Sequence, residues 1–270
     1  MRKTRMVVLA LLVALGFAQT KSRQPAPAAG VTVVDLTHNL SEKSPNWEGT
    51  QKSPFEARQL GRLEKDGYFS RTICLPEHFS THIDAPAHFA AGAWTVDQIP
   101  ASHLVAPLAV IDVRAQVAGN PDYLVTPGDV AAWEKLHGRI PAGAVVMAFT
   151  GWDNRWNSMK DYRNADAKGV MHFPGFAPAT AKLLVTERHV AGLGIDTLSI
   201  DYGPSPDYPA HRFVLAQNVY QLENVTNLGA VPAVGATLVV GAAKLEGGSG
   251  GPVRLLALVR GRESGSRSRE

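Results

Sequence analysis

Apolar runs separated by polar loops predict the β-strands of this chain. The predicted strands are residues 31–36, 69–75, 108–113, 144–150, 190–195, 219–222, 237–245 and 253–259. The runs 108–113 and 144–150 are apolar almost throughout, which is typical of strands buried on both faces. The run 69–75 alternates, which predicts a half-buried strand. The Gly-rich segment 246–252 is expected to join the last two strands as a hairpin turn.

The clearest helix signal begins at Thr126. Thr126 is a predicted N-cap, Pro127 occupies the first helical position and Asp129 completes a capping box. Three apolar residues at helical spacing predict the buried face of this helix: Val130, Trp133 and Leu136.

Two more helices are predicted at 178–189 and 212–218. Strands and helices alternate irregularly along the chain. This order predicts an α/β fold with a single mixed-sheet domain rather than a doubly wound parallel sheet. The chain shows no internal repeat and no second domain boundary, so the predicted domain covers residues 31–260.

The N-terminal segment has the features of a secretory signal. A basic start at positions 2, 3 and 5 precedes an apolar run too short to span a bilayer comfortably, and Gly16 and Ala18 are small residues suited to cleavage. We expect a signal peptide at 1–18, a flexible lead-in at 19–30 and a secreted or periplasmic protein; an uncleaved anchor is the alternative. Residues 261–270 are expected to form a disordered polar tail.

Net charge limits the classes of partner. Three of the 27 basic residues lie in the predicted signal, so its removal leaves basic residues equal in number to the 24 acidic ones. A neutral chain lacks the basic surface expected for nucleic acid or anionic lipid. We therefore expect a small-molecule substrate, no nucleic acid and no stable membrane association after cleavage.

Cys74 is the only cysteine, which excludes an intramolecular disulfide. Its position in the predicted strand 69–75 indicates a buried, unreactive thiol.

The densest group of candidate functional side chains lies between positions 78 and 88. His78, His82, Asp84 and His88 fall within eleven residues, and imidazole and carboxylate are ligands for divalent metals. On an extended chain His82 and Asp84 point to the same side. Since a straight run of eleven residues would span about 33 Å, convergence of all four requires bends, which we place at 79–81 and 85–87.

Other candidate residues lie far from this cluster. Glu223 ends an apolar segment, where a carboxylate needs a partner; a buried cation or an ion pair with Arg212 would supply one. Trp47 lies in a loop that contains Pro and Gly. Its side chain is expected either to cover the core as a lid or to form the wall of a binding pocket. The long loop 153–176 is typical of a functional lid, and His172 within it lines a pocket or has a structural role.

The pattern His-x-x-x-His-x-Asp-x-x-x-His from His78, followed by His211 and Glu223, resembles the cyclase family, which includes bacterial kynurenine formamidases and isatin hydrolases. The resemblance extends from about position 31 to 259. It implies a layered β/β/α cyclase-like (swivelling) architecture and a homo-oligomer, a dimer or larger. The chain departs from the family pattern at Phe79 and Ser80, where smaller residues are expected, so Phe79 is expected to narrow the pocket.

The resemblance implies specific roles for these residues. His78, His82, Asp84 and Glu223 would hold one metal, and Asp84, His211 and Glu223 a second. The cofactor would be Zn or Mn, with one or two ions per chain. Activated water would be the nucleophile, and His88 would be the proton shuttle. Trp47 would contact the substrate. Independently of the resemblance, Trp47 and the aromatic loop residues Trp152, Trp156 and Phe173 are expected to pack an aromatic acyl substrate.

The activity implied is hydrolysis of a C–N bond in a small amide, formamide or lactam. Two other functions are compatible with the same residues. One is a metal-dependent cyclase or dehydratase, which uses the metal as a Lewis acid. The other is a periplasmic metal-binding protein without turnover.

Overall fold

The computed structural model describes residues 30–50 and 52–261. The predicted signal peptide therefore lies outside the described residues, as do most of the predicted lead-in and tail. Among the residues described, no helix combines the length and the apolar character needed to cross a membrane.

Twelve strands and six α-helices are found in the described part of the chain. The strands are β1 (Val31–Asp35), β2 (Glu56–Gly61), β3 (Ser70–Cys74), β4 (His82–Asp84), β5 (Val105–Asp112), β6 (Leu124–Val125), β7 (Val145–Phe149), β8 (Gly175–Phe176), β9 (Gly192–Ile195), β10 (Tyr220–Glu223), β11 (Ala236–Ala242) and β12 (Gly250–Arg260). The helices are α1 (Leu63–Asp66), α2 (Arg114–Val117), α3 (Pro127–His137), α4 (Met159–Arg163), α5 (Pro178–Arg188) and α6 (Pro209–Leu215).

A mixed sheet organises the molecule. Its strand order is β1-β12-β11-β5-β7-β9-β10-β4, and β4 also pairs with β12, so the sheet closes into a barrel-like ring. The central strands β5, β7, β9 and β10 run parallel, and the pairings of β11, β12 and β4 are antiparallel. The prediction of a single mixed α/β domain is confirmed at this level, while the layered β/β/α arrangement stays a prediction.

Two hydrophobic cores lie on opposite faces of the ring. Alternate residues of β5 enter different cores: Leu108 and Val110 join one, and Ala109 and Ile111 the other. The first core collects side chains from all around the ring and fills its interior. The second contains Trp133 and other side chains from α3, α5 and α6, so these helices cover the outer face. The predicted burial of β5 and β7 on both faces is confirmed.

Local signals place several elements correctly. Thr126 caps α3, and its capping box with Asp129 is present. The antiparallel pair β11–β12 confirms the predicted hairpin, although β12 begins at Gly250, earlier than expected. The helix predicted at 212–218 begins at Pro209 instead, which places His211 inside it.

Three burial predictions are wrong. The predicted strand 69–75 is present as β3, but it pairs with β2 in a separate two-stranded sheet and is largely exposed. Cys74 lies on this strand and is exposed rather than buried. Leu136 was expected on the buried face of α3, yet it is 78% exposed, since α3 buries only Val130 and Trp133.

Candidate metal centre and the cavity beside it

Three elements, β4, β10 and α6, carry four of the candidate ligands on the outer face of the ring, and the loop before β4 carries the fifth, His78. His82 and Asp84 occupy the ends of β4 and flank Ile83, which points into the interior core. Since side chains alternate along a strand, His82 and Asp84 share the outer face. Glu223 pairs in register with His82 across β4 and β10. His211 lies on α6, which covers this face.

Both predicted bends are present. Ser80 has a φ of 58°, in the left-handed region, and this turns the chain between His78 and β4. After β4, a short 3-10 helix at Pro86–His88 brings His88 back towards the cluster.

The donor atoms lie within contact distance of one another. Asp84 is at the centre: its Oδ1 is 2.6 Å from His78 Nδ1 and 3.2 Å from His82 Nε2, and its Oδ2 is 3.3 Å from His211 Nε2. Glu223 closes the other side, with Oε1 3.1 Å from His211 Nε2 and Oε2 3.5 Å from His82 Nε2. Segments more than a hundred residues apart therefore converge on one point.

This donor set fits one or two divalent cations. It forms two groups, His78 with His82 and Asp84, and Asp84 with His211 and Glu223, and within each group the donor atoms lie within 4.8 Å of one another. Except for the half-buried His78, all five residues are buried. Two carboxylates enclosed together need positive charge nearby, and nitrogen and oxygen donors of this kind suit Zn or Mn.

Protons supply that charge when no cation is bound. Burial opposes ionisation of Asp84, but hydrogen bonds with His211, His78 and His82 hold its pKa well below the usual range. Burial alone would lower the pKa of His82, yet Asp84 and Glu223 raise it to about 9. The pKa of His211 is raised well above its usual value, against burial, by Asp201, Asp84 and Glu223. A bound cation would displace these protons, so affinity for it is expected to increase with pH.

Residues behind the imidazoles hold two of them in place. His211 Nδ1 lies 2.7 Å from Asp201 Oδ2, and this buried carboxylate also accepts the backbone N–H groups of Ala210 and His211. His82 Nδ1 lies 2.8 Å from the Ser80 carbonyl oxygen. Such partners fix the ring orientation of a metal-binding histidine. The position of Asp201 gave no sign of this role, because the contact depends on the path of the chain between Asp201 and α6.

His88 stands beside the donors rather than among them. Its ring stacks on His78 with centroids 3.9 Å apart. Burial lowers the pKa of His88 to about 4, so its imidazole is neutral at pH 7 and can accept a proton.

A cavity of about 440 Å³ opens onto the donors and His88. This volume is typical of sites for small molecules. Four aromatic side chains line it: Trp47, Phe79, Phe89 and Tyr208. Trp47 is therefore a pocket wall, packed against Phe173 and Tyr208. Phe79 also lines the cavity, as expected of a residue that narrows it.

Other aromatic residues and His172 lie elsewhere. Trp152 and Phe173 are buried in the outer core and Trp156 packs against it, and none of the three lines the cavity. Their predicted contact with substrate is wrong, because the loop 153–176 folds its aromatic side chains inward. His172 Nδ1 contacts Asp122 Oδ2 at 2.7 Å, away from the cavity, which favours the structural role.

The structure distinguishes between the two partners considered for Glu223, a buried cation and Arg212. Arg212, the alternative partner, directs its Nε to the Asp207 carbonyl oxygen, and its guanidinium lies over the Phe89 ring. Glu223 instead contacts the two buried imidazoles and accepts the Ile200 backbone N–H at 3.0 Å. The carboxylate therefore belongs to the donor cluster.

Comparison with known proteins gives the same family from sequence and from structure. Residues 34–202 match the model of the Cyclase family. The isatin hydrolase of Roseibium aggregatum is 34% identical over 244 residues, which cover 85% of this chain and 92% of that protein. The kynurenine formamidase of Salinibacter ruber is 25% identical over 226 residues, which cover 84% of this chain and 97% of that protein.

Solved structures superpose over a similar span. Isatin hydrolase A from Labrenzia aggregata, bound to benzyl benzoate, gives a TM-score of 0.79 at 36% identity and covers 86% of this chain and 94% of that one. An isatin hydrolase bound to the product analogue thioisatinate gives a TM-score of 0.78 at 33% identity, with 86% and 93% covered.

Proposed function

The chain belongs to the cyclase family, and from that premise we propose that it is a metal-dependent hydrolase of a small amide, formamide or lactam. The observation that carries the proposal is the convergence of three imidazoles and two carboxylates beside an aromatic cavity. A lactam is the first choice of substrate, because the isatin hydrolase is more similar to this chain than the kynurenine formamidase is. An N-formyl aromatic amine is the second.

The proposed ligand roles start from the two donor groups, and Glu223 is added to the first because its Oε2 lies 3.5 Å from His82 Nε2. His78, His82, Asp84 and Glu223 would hold one cation, and Asp84, His211 and Glu223 would hold a second. This assignment is supported by the position of Asp84, whose two oxygens face different imidazoles. The ion is Zn or Mn, with one or two per chain.

A bound divalent metal supplies a Lewis acid that lowers the pKa of water from about 15.7 towards about 7. His88 accepts the proton of the attacking water and returns it to the leaving nitrogen. Its suitability rests on its position beside the donors and on its neutral imidazole. Trp47, at the cavity wall, packs against the substrate, and Phe79 limits its width. The aromatic side chains that line the cavity favour a planar, aromatic acyl compound.

The proposal also covers the cellular location and the oligomeric state of the enzyme. The basic and apolar N-terminal segment supports secretion or a periplasmic location. Association as a homodimer is supported by large apolar side chains exposed on and beside the β2–β3 pair: Leu60, Leu63, Tyr68, Phe69 and Ile73.

Replacement of His88 tests the catalytic assignment. His88→Ala should keep its metal, because His88 is not a ligand, and should lose about 10²- to 10⁴-fold in kcat on isatin or N-formyl substrates. His137→Ala, an exposed histidine on α3, is the matched control and should equal the parent. Metal content by elemental analysis and product formation by chromatography are the measurements.

Each alternative outcome has a distinct meaning. Absence of metal after supplementation contradicts the metal-dependent function. A product that has lost water identifies a cyclase or dehydratase. Metal without turnover on either substrate class favours a binding protein. Unchanged kcat in His88→Ala removes His88 from the proton path but leaves the metal site standing.

A further inference from the structure

The three imidazoles of the centre do not present the same nitrogen. His82 and His211 direct Nε2 towards the carboxylates, whereas His78 directs Nδ1 towards Asp84 at 2.6 Å. His78 is also the least buried of the three. The ring of His78 therefore needs a hydrogen-bond partner at Nε2 to fix its orientation.

That support comes from Ser249. The Nε2 atom of His78 lies 3.0 Å from Ser249 Oγ. Ser249 in turn donates twice to one carboxylate oxygen of Glu77, from Oγ at 2.6 Å and from its backbone N–H at 2.9 Å. Glu77 and Ser249 are far apart in the chain, and neither lines the cavity.

The direction of the serine hydroxyl decides the tautomer of His78. A serine hydroxyl has one proton, and the ionised Glu77 carboxylate, which can only accept, takes it. Ser249 Oγ can then offer only a lone pair to His78. Nε2 of His78 therefore carries a proton that it donates to Ser249 Oγ. When a cation takes the place of the hydrogen bond between Nδ1 and Asp84 Oδ1, the Nε2 proton stays, and Nδ1 can offer the lone pair that a metal requires.

The backbone around Ser249 is shaped to this arrangement. A Cβ at Gly250 would lie 2.5 Å from His78 Cε1 and 2.7 Å from the Ile83 carbonyl oxygen. A Cβ at Gly248 would lie 3.3 Å from Glu77 Oε1. The two glycines let the chain pass close to both side chains, which explains why the segment predicted as a hairpin turn contains glycine on both sides of Ser249.

We propose that Glu77 and Ser249 are positioning residues that hold His78 with its proton on Nε2, so that Nδ1 is free to bind metal. The proposal rests on the metal-dependent function proposed above. Neither residue touches substrate, and their effect acts through His78. Removing the Ser249 hydroxyl should weaken metal binding, because Nε2 of His78 loses its hydrogen-bond partner. The competing tautomer, with the proton on Nδ1, then gains population.

The test measures metal affinity directly, by competition with a chromophoric chelator. Ser249→Ala should raise the dissociation constant for Zn or Mn about 10-fold or more, in line with the effect of such partners in other metal sites. Ser249→Thr keeps a hydroxyl and should restore binding close to the parent. Glu77→Gln should have a smaller effect than Ser249→Ala, because a glutamine can still accept the hydroxyl proton. Glu64→Gln, which removes the same charge from the exposed helix α1, is the control and should bind as the parent does.

A second measurement separates positioning from a purely structural role. In the zinc-loaded parent, the Nε2–H of His78 should give a protected downfield imidazole proton resonance, which Ser249→Ala abolishes. If Ser249→Ala lowers the melting temperature of the metal-free protein but binds metal as tightly as the parent, the proposal is overturned. If the parent itself binds no metal, the proposed function fails together with it.

Discussion

Among single residues, His38 shows how a histidine outside the candidate metal centre couples stability to pH. Its ring stacks on Trp156, with centroids 3.9 Å apart and planes 4° apart. Its Nε2 is buried and has no hydrogen-bond partner within residues 30–50 and 52–261. Burial lowers the pKa of His38 to about 4, so the folded protein holds it neutral where an unfolded chain, with a pKa near 6.5, would protonate it.

The metal-free protein should therefore lose stability as the pH falls from 6.5 to 4. In that window the unfolded chain binds a proton that the folded chain excludes, which favours unfolding. His38→Phe keeps the stacked ring but cannot be protonated, so it should remove on the order of 2 kcal/mol of this loss. Urea unfolding of parent and variant at pH 7 and pH 4.5, both with chelator, measures the difference. Equal pH slopes would show that His38 is protonated in the folded state.

The position of a side chain was predicted correctly where its neighbours in the sequence determine that position. The convergence of His82 and Asp84 follows from their spacing on an extended chain. The exposure of Cys74 and the burial of Trp152 depend instead on which distant segments pack against them. The roles of Ser249 and Asp201 were not predicted for the same reason, because a hydrogen bond to a candidate metal ligand in a distant segment leaves no mark in the local sequence.

Among the elements, α3 has the best-defined beginning. The Thr126 hydroxyl accepts the Asp129 N–H at 3.2 Å, and Asp129 Oδ2 accepts the Thr126 N–H at 2.7 Å. The Tyr123 hydroxyl donates to the same carboxylate oxygen at 2.7 Å. The capping box predicted from the sequence is confirmed and reinforced by a residue outside the helix.

Thr126→Ala should lower the free energy of unfolding by about 1 kcal/mol, the usual cost of losing an N-cap side chain. Denaturant titration with the metal content held fixed gives the value. Thr186→Ala, in the exposed part of α5, is the matched control. Its hydroxyl donates to the Lys182 carbonyl oxygen within the same helix, and alanine is a better helix former, so stability should not fall. A loss of equal size in both variants would contradict a specific role for the cap.

Element boundaries were less predictable where pairing is remote. Strand β12 begins at Gly250 because this glycine pairs with Asp84 of β4, which no local pattern indicates. Strand β2 and helix α1 were not predicted, since their sequences are polar and short. Helix α6 begins early because Pro209 suits a first helical position after Tyr208.

For the whole molecule, the decisive feature is where the ring closes. The three-residue strand β4 pairs with both β10 and β12, so two candidate ligands lie on the strand that completes the sheet. The sequence predicted the mixed α/β domain from the order of its elements. It did not predict ring closure, because a three-residue segment that contains a histidine and an aspartate lacks the apolar pattern of a central strand.

Metal binding should therefore stabilise the entire fold. At a free metal concentration 100 times its dissociation constant, the gain is about 2.7 kcal/mol per site. For a domain of this size, that corresponds to a melting temperature about 5–10 °C higher than with chelator. Differential scanning calorimetry of parent and His82→Ala measures it. The parent should show the shift and the variant, which lacks a ligand, should lose most of it; equal shifts would place the stabilising ion elsewhere.

The exposed thiol of Cys74 sets an upper limit on covalent assembly. Each chain has a single cysteine, so each can form only one disulfide, and only with another molecule. Under oxidising conditions, electrophoresis without reductant would show a band of doubled mass and no ladder above it. The same thiol accepts one maleimide dye per chain, a ready reporter on the strand that leads to His78.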